Sequence, residues 1–392
     1  MTEGVAIVGV GEERHGRFPD RSSLTMALNV CAEAVTHAGL RPREIDALLV
    51  APAFADRAFN TDITFGRLAE ELGMRDSVRL SMQVSAGGST GERMLRVARG
   101  LIESGQARFV LCAHADKFSE LTMAQILEFF ATAGFDTEFE LPYGMTYNTI
   151  SSLTALRYMH ETGATEQDIA EMTSSLRAWA ALKPTARGYG RPMTVDEVLA
   201  TPVLQWPIRT AMAPPPADGA SAFVVAGVDD ARRMRERAAY VWAEASRMRT
   251  YSFTQHDDIT RMGWAEVGAE AFDKAGLKTS DIGIAQLYMA YPIFHLLLLE
   301  ELGFCERGEA GDFVRSGATR PGGALPVMTN GDAIGNGHTG AGVGVATMVE
   351  SARQLMGEAG ERQVADLGFV LETSAGGSYM DANVTILGRE PR

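Results

Sequence analysis

Cysteine is scarce in this sequence of 392 residues. The chain contains three, Cys31, Cys112 and Cys305, and their spacing matches neither a C-x-x-C zinc site nor an even-numbered disulfide framework. We therefore expect reduced, mostly buried thiols and no metal site.

An excess of positive charge is also absent. The sequence has 36 Lys and Arg residues against 50 Asp and Glu residues, a net charge of −14. A surface of this sign repels phosphates, which argues against a nucleic-acid partner and against an anionic membrane surface.

Long hydrophobic runs are missing as well. An apolar stretch near the middle, residues 293–299, contains His295 and ends at Glu300, far short of the roughly 20 residues that span a bilayer. The N-terminus shows neither a basic leader nor a small-residue cleavage site. We expect no membrane insertion and a cytoplasmic location.

The hydrophobic residues that are present, 46% of the chain, suffice for a large core or for two ordinary domains. Short β-branched runs alternate with Ala- and Leu-rich amphipathic segments, which predicts an α/β fold with buried strands. These runs are residues 5–10, 45–50, 109–113 and 223–225. Residues 118–217 break the pattern: they are aromatic and, in our interpretation, loop-rich. We predict an inserted loop domain there that covers one end of the core.

Two internal echoes indicate a duplication. Residues 32–40 (AEAVTHAGL) are similar to residues 269–277 (AEAFDKAGL), and FVL at 109–111 returns at 369–371. Coincidence is the alternative, since Ala-Gly-Leu helix ends are common, but the two echoes occur in matched order. We predict an N-terminal half, residues 1–226, and a C-terminal half, residues 227–392.

Two glycine-rich turns hold candidates for catalysis. Ser85 precedes a predicted helix, where backbone N–H groups stabilise a developing anion; the alternative is a serine that only caps the helix. His338 lies in the corresponding turn of the second half. A lone histidine is usually structural, but this one is embedded in glycines and is a candidate general base or acid.

Two further segments are expected at the same end of the sheets. Tyr288 and Tyr291 follow a predicted strand, and Ser374 and Gly376 follow another. The tyrosines either pack at a strand end or exchange a proton with a substrate alcohol. The glycines near residue 376 offer backbone N–H donors.

These four segments, in this order, resemble the thiolase superfamily, most closely its bacterial branch of lipid-transfer or sterol-carrier-protein-type thiolases. The likeness covers nearly the whole chain and is most specific over residues 288–342. It implies the thiolase fold, in which duplicated α-β-α halves form a layered α-β-α-β-α core with an inserted loop domain. It also implies a homodimer that acts on acyl-coenzyme A (acyl-CoA), with CoA as part of the substrate and no permanently bound cofactor.

The departures from the family pattern bear on the reaction. Serines 85 and 374 stand where family thiolases have cysteines, and Tyr288 and Tyr291 stand where they have Asn and Phe; His338 is retained. The resemblance implies an oxyanion hole formed by the backbone amides of Ser85 and Gly376. A serine hydroxyl is far harder to ionise than a thiol, so ordinary thiolysis is disfavoured.

A reaction without a covalent intermediate fits these departures better. We expect retro-aldol cleavage of a β-hydroxyacyl-CoA with Tyr288 and His338 as base and acid, as in relatives of this branch that act on steroid side chains. Those relatives pair with a small OB-fold and zinc-ribbon subunit, which makes such a partner an expectation here. The alternatives are acyl transfer through Ser85 and a non-catalytic scaffold.

Overall fold

The computed structural model describes residues 4–52 and 64–392. The strands, numbered along the chain, are β1 (Val5–Glu12), β2 (Ala47–Val50), β3 (Leu80–Gln83), β4 (Phe109–Asp116), β5 (Val203–Gln205), β6 (Ile208–Arg209), β7 (Gly219–Gly227), β8 (Ala239–Met248), β9 (Ile282–Leu287), β10 (Phe369–Ser374) and β11 (Asp381–Gly388). The four predicted strand runs are confirmed and correspond to β1, β2, β4 and β7.

The helices alternate with these strands, as an α/β fold requires. They are α1 (Ser23–His37), α2 (Thr64–Glu71), α3 (Thr90–Glu103), α4 (Met123–Gly134), α5 (Tyr147–Thr162), α6 (Glu166–Ala181), α7 (Val195–Leu199), α8 (Val228–Met234), α9 (Trp264–Ala275), α10 (Pro292–Glu301), α11 (Ala310–Arg315), α12 (Asp332–Asn336) and α13 (Gly342–Met356). Across the described ranges, no helix combines the length and the apolar composition needed to cross a membrane.

One large sheet runs through the molecule in the order β3-β2-β4-β7-β1-β8-β11-β10-β9. Strand β2 is parallel to β3 and β4, and β9 is parallel to β10, whereas the central strands are antiparallel. The two sides of the sheet join through a short pairing in which Ala6 and Ile7 face Tyr240 and Ala239.

The strand order is nearly symmetric about this β1–β8 junction. Moving outward from β1, the chain places β7, β4, β2 and β3; moving outward from β8, it places β11, β10, β9 and a parallel bridge between Ala285 and Val327. Both sequence echoes fall on equivalent elements, one on α1 and α9, the other at the starts of β4 and β10. This order supports our proposal of two halves that divide near residue 226.

Helices cover both faces of the sheet. Helix α1 packs on β1, β4 and β7, and α9 packs on β8 and β11. Helices α3 and α13 contact each other, and α13 contacts strands of both halves. Their apolar residues form one core with the inner faces of the two half-sheets. The resulting helix–sheet–helix–sheet–helix order confirms the expected layered fold.

Residues 118–217 are not loop-rich, and that interpretation was wrong. Four helices, α4 to α7, and the β5–β6 hairpin occupy most of the segment. Two of these helices begin with a capping box, Thr122 with Gln125 and Thr194 with Glu197, in which side chain and backbone satisfy each other's first-turn donors. The inserted domain itself stays a proposal.

Candidate active site

A cavity of about 820 Å³ opens where the two halves and the 118–217 segment meet. Four of the predicted site residues line it together: Ser85, Tyr288, Tyr291 and His338. The structure therefore brings together side chains that are more than 250 positions apart in the sequence.

The topology explains this convergence. Ser85 follows the end of β3, and Tyr288 follows the end of β9 directly. Side chains just beyond the carboxyl ends of parallel strands are the usual ligand contacts of open α/β sheets. Gly88 is needed for the fit, because a Cβ there would lie 2.6 Å from the Cε1 atom of Tyr288.

Ser85 does not lie in the first turn of a helix, contrary to the sequence prediction. A 3₁₀ turn over Gly87–Ser89 separates it from α3, and the side chain of Ser85 is exposed. Within the described residues no hydrogen bond joins Ser85 to His338. The aligned serine–histidine pair that would activate a serine nucleophile is thus not formed.

His338 is held by its own backbone and by a neighbouring amide. Its N–H donates to the carbonyl of Pro215 (2.8 Å), and its carbonyl accepts from the N–H of Ala217 (2.9 Å). The ring packs edge-on against Phe130, with 5.0 Å between ring centroids. The N–H of Gly340 donates to Nδ1 of His338 at 3.2 Å.

These contacts fix the protonation state of His338. Burial lowers the pKa of the imidazole to about 4, partly offset by the negative charge of Asp332. The ring is therefore neutral near pH 7. Because Nδ1 accepts a hydrogen bond, the single ring hydrogen is on Nε2, and His338 acts as a hydrogen-bond donor from that atom.

The two tyrosines differ in their hydroxyl partners. The hydroxyl of Tyr291 donates to Oδ1 of Asn148 at 2.7 Å, whereas the hydroxyl of Tyr288 has no hydrogen-bond partner in the described parts of the chain. Burial raises the pKa of both phenols, and Asp332 raises that of Tyr288 further. Of the two, Tyr288 has the hydroxyl free to meet a substrate.

Ser374 and Gly376 do not line the cavity. The Ser374 hydroxyl donates to Glu92, a buried carboxyl whose pKa is raised to about 8 mainly by burial. The N–H of Gly376 donates to Oδ1 of Asp381 at 2.6 Å. An oxyanion hole using Gly376 would require this amide to leave Asp381, so the structure offers no support for that part of the expected site.

Several cavity residues were missed by the sequence analysis. An aromatic and aliphatic wall faces His338 and includes Met123, Leu127, Phe129, Phe130, Tyr147 and Tyr379. The Tyr147 hydroxyl donates to the carbonyl of Gly377 at 2.9 Å. The only readable signal was the density of aromatics in residues 118–217, which gave no individual position.

Strained backbone also surrounds the cavity. Ala290 has φ of 60° and Tyr379 has φ of 66°, and both line it. Asp332, six residues before His338, has φ of 50° and is fully buried. Non-glycine residues in this region cost free energy and concentrate at functional sites.

Comparison with known proteins agrees with this geometry. A family model described as "Thiolase C-terminal domain-like" matches residues 245–389. The chain is 31% identical to a 17-hydroxy-3-oxo-4-pregnene-20-carboxyl-CoA lyase of Mycobacterium tuberculosis, over 95% of this chain and 96% of the relative. It is 30% identical to an acetyl-CoA acetyltransferase of Methanothermobacter thermautotrophicus, over 98% and 99%.

The chain belongs to the thiolase superfamily. Among solved structures, the Ltp2–ChsH2(DUF35) aldolase superposes on it with a TM-score of 0.84 at 29% sequence identity, covering 98% of each chain. The resemblance to this family is confirmed.

This thiolase-superfamily cavity has no thiol in its wall. Cys31 and Cys112 are buried and Cys305 is partly buried, and none of them lines the cavity. Burial raises the pKa of the Cys31 thiol to about 12, which leaves it un-ionised. Among the residues that the structure describes, no group of three or more His, Cys, Asp or Glu side chains is placed to hold a metal ion.

Proposed function

We propose that this enzyme cleaves the Cα–Cβ bond of a β-hydroxyacyl-CoA by a retro-aldol reaction. The observation that carries the proposal is the pairing of Tyr288 and His338 in a cavity without a cysteine. Relatives named as a CoA lyase and an aldolase, at about the same identity over nearly the whole chain, support it.

The reaction needs one base and one oxyanion donor. The β-hydroxyl proton leaves, the Cα–Cβ electron pair moves to the thioester as an enolate, and Cβ departs as a ketone or aldehyde. The enolate then takes a proton at Cα and becomes a shortened acyl-CoA. Atoms balance without free CoA, because no acyl group changes its thiol.

His338 is suited to stabilise the enolate oxygen. Its Nε2–H is the donor, since Gly340 occupies Nδ1, and a fixed donor in a largely buried site stabilises developing charge more strongly than water does. The backbone N–H of Ser85, which has no hydrogen-bonded acceptor among the described residues, is the second candidate donor.

Tyr288 then takes the role of base toward the β-hydroxyl. Its hydroxyl is unpartnered in the described structure, whereas that of Tyr291 is engaged by Asn148. Because burial raises the pKa of Tyr288, its phenolate is scarce at neutral pH. We therefore expect proton removal to be rate-limiting and the rate to rise with pH.

The acyl group is bulky and apolar in this proposal. The wall of Phe129, Phe130 and Tyr379 has no charged group of its own, and the cavity volume of about 820 Å³ is in the range of sites for large organic ligands. One relative's name specifies a steroid-type CoA ester; a compound of that size is the first to test.

Acyl transfer is the second candidate, because one relative is named an acetyltransferase. It would require Ser85 to be acylated. The absence of a bonded base at Ser85 and of a cysteine in the cavity counts against it. A scaffold role would leave Tyr288 and His338 without a task.

The assembly is part of the proposal. Strand β3 ends the sheet, and no described strand pairs with its outer edge, so a second copy could extend the sheet there. Exposed Met123, Leu127 and Leu204 line the cavity mouth; we propose that a small OB-fold and zinc-ribbon subunit covers them. Three unpaired cysteines fit the reducing cytoplasm.

The test is product analysis by mass spectrometry. The purified protein, with any small subunit that co-purifies, is incubated with matched β-hydroxyacyl-CoA and β-ketoacyl-CoA esters, with and without free CoA. Release of a ketone or aldehyde from the hydroxy ester without free CoA is the expected result. Cleavage of the keto ester alone, and only with CoA, would restore the thiolase reaction.

A further inference from the structure

Three arginines cluster beside the cavity on the segment that follows α6. Arg177 lies in α6, and Arg187 and Arg191 follow it. Arg187 lines the cavity together with His338. It also packs on the loop that carries His338, since a side chain on Gly337 would meet the Arg187 Cβ at 3.4 Å.

Backbone hydrogen bonds hold this segment in place. The N–H of Arg187 donates to the carbonyl of Asn336 (3.1 Å), and the N–H of Gly188 donates to that of Gly335 (2.9 Å). The N–H of Arg191 donates to the carbonyl of Gly188 at 3.0 Å. The positions of the arginines are therefore fixed relative to the catalytic histidine.

The cluster lacks compensating charge. None of the three guanidinium groups forms an ion pair within the described chain, although the protein carries a net charge of −14. Arg177 donates to the carbonyl of Ile334 at 3.4 Å, and its Nε is buried without a hydrogen-bond partner. Burial and the neighbouring arginines lower the pKa of Arg177.

An uncompensated group of like charges at the edge of a cavity is stabilised when an anion binds there. Arginine donates two parallel hydrogen bonds to a phosphate, and such charge-assisted bonds are stronger than neutral ones. The apolar wall of the cavity needs no cation for the acyl end of a ligand. The charge must serve its other end.

We propose that Arg177, Arg187 and Arg191 bind the phosphate groups of the nucleotide end of CoA. This inference rests on the proposed function, because it assumes that the ligand is a CoA thioester. Arg187, which is exposed and reaches the cavity, makes the central contact. The polar end of the substrate thus lies on the 177–191 segment, and the acyl end lies on the aromatic wall.

The test compares ligands with and without phosphates. Binding of CoA, 3′-dephospho-CoA and pantetheine is measured by calorimetry for the wild type, Arg187→Gln and the triple Gln variant. Arg232→Gln is the matched control, since Arg232 is exposed on α8 and has no ion pair within the described residues. Loss of one charge-assisted contact should weaken CoA binding about 10- to 100-fold and leave pantetheine binding unchanged.

The outcomes separate the two proposals. CoA binding that is equally strong in the triple variant, or undetectable in the wild type, overturns the phosphate site. A kinetic arm uses the same acyl group on CoA and on N-acetylcysteamine: the variants should raise KM for the CoA ester only. If CoA binding depends on the arginines but neither ester is cleaved, the phosphate site stands and the lyase proposal fails.

Discussion

The Nε2 atom of His295 lies 3.0 Å from Oδ2 of Asp332, and both side chains are fully buried. His295 Nδ1 is 3.2 Å from the carbonyl of Tyr291, and a carbonyl can only accept, so Nδ1 donates. The pair ties the turn before His338 to helix α10. It lies beneath the cavity and links the two segments that supply the proposed base and oxyanion donor.

We predict that Asp332→Asn destabilises the protein by about 3–5 kcal/mol, because it leaves His295 without its buried partner. The double variant with His295→Gln should recover part of that loss. Chemical denaturation of the four proteins measures the coupling. Strictly additive effects would show that the two side chains do not interact.

Replacing His338 should affect catalysis more than binding. We expect His338→Ala to lower kcat about 10²- to 10⁴-fold, and the exposed His160→Ala to leave it unchanged. With a pKa near 4, wild-type His338 should give no inflection near pH 6.5 in the rate profile. An inflection there that disappears in His338→Ala would contradict the neutral, Nε2–H state.

The two tyrosines provide a matched pair. Tyr288→Phe removes the unpartnered hydroxyl and should lower kcat by about 10²-fold or more. Tyr291→Phe removes a hydrogen bond to Asn148 and should cost about 1 kcal/mol of stability, with a small change in kcat. Steady-state kinetics and thermal melts of both variants check this. Equal kcat losses would reassign the base.

Glu92 gives a prediction for stability against pH. Its pKa rises from 4.5 to about 8 on folding, so between these values the folded state holds a proton that the unfolded state has lost. Stability therefore decreases as pH rises through this window, by up to about 1.4 kcal/mol per pH unit. Glu92→Gln should remove that slope.

Denaturation of wild type and Glu92→Gln at pH 5, 6, 7 and 8 measures the difference. The variant should gain stability relative to the wild type at each step upward. A constant difference across the four pH values would mean that Glu92 does not change protonation on folding.

The sequence predicted the sheet better than the surrounding segments. Strands β1, β4 and β7 are buried throughout, so their apolar β-branched runs are readable without the structure. Helices α4 and α7 were missed although their Thr122 and Thr194 capping boxes are visible in the sequence. Aromatic density was given more weight than these local signals.

Within the site, the same distinction separates success from failure. The cavity positions of Ser85 and His338 follow from which strands and turns end at one edge of the sheet. The orientation of Ser374 does not, because its partner Glu92 lies 282 positions away. Gly376 was misjudged for a similar reason: its amide is taken by the side chain of Asp381, which local sequence does not reveal.

The most direct test of the central claim uses Ser85→Ala with a β-hydroxyacyl-CoA in D₂O and without free CoA. The account predicts that the variant keeps most of the wild-type rate and releases carbonyl product and shortened acyl-CoA in equal amounts. Each acyl-CoA should carry one deuterium at Cα. Loss of cleavage in Ser85→Ala, or cleavage that requires free CoA, would contradict the retro-aldol mechanism.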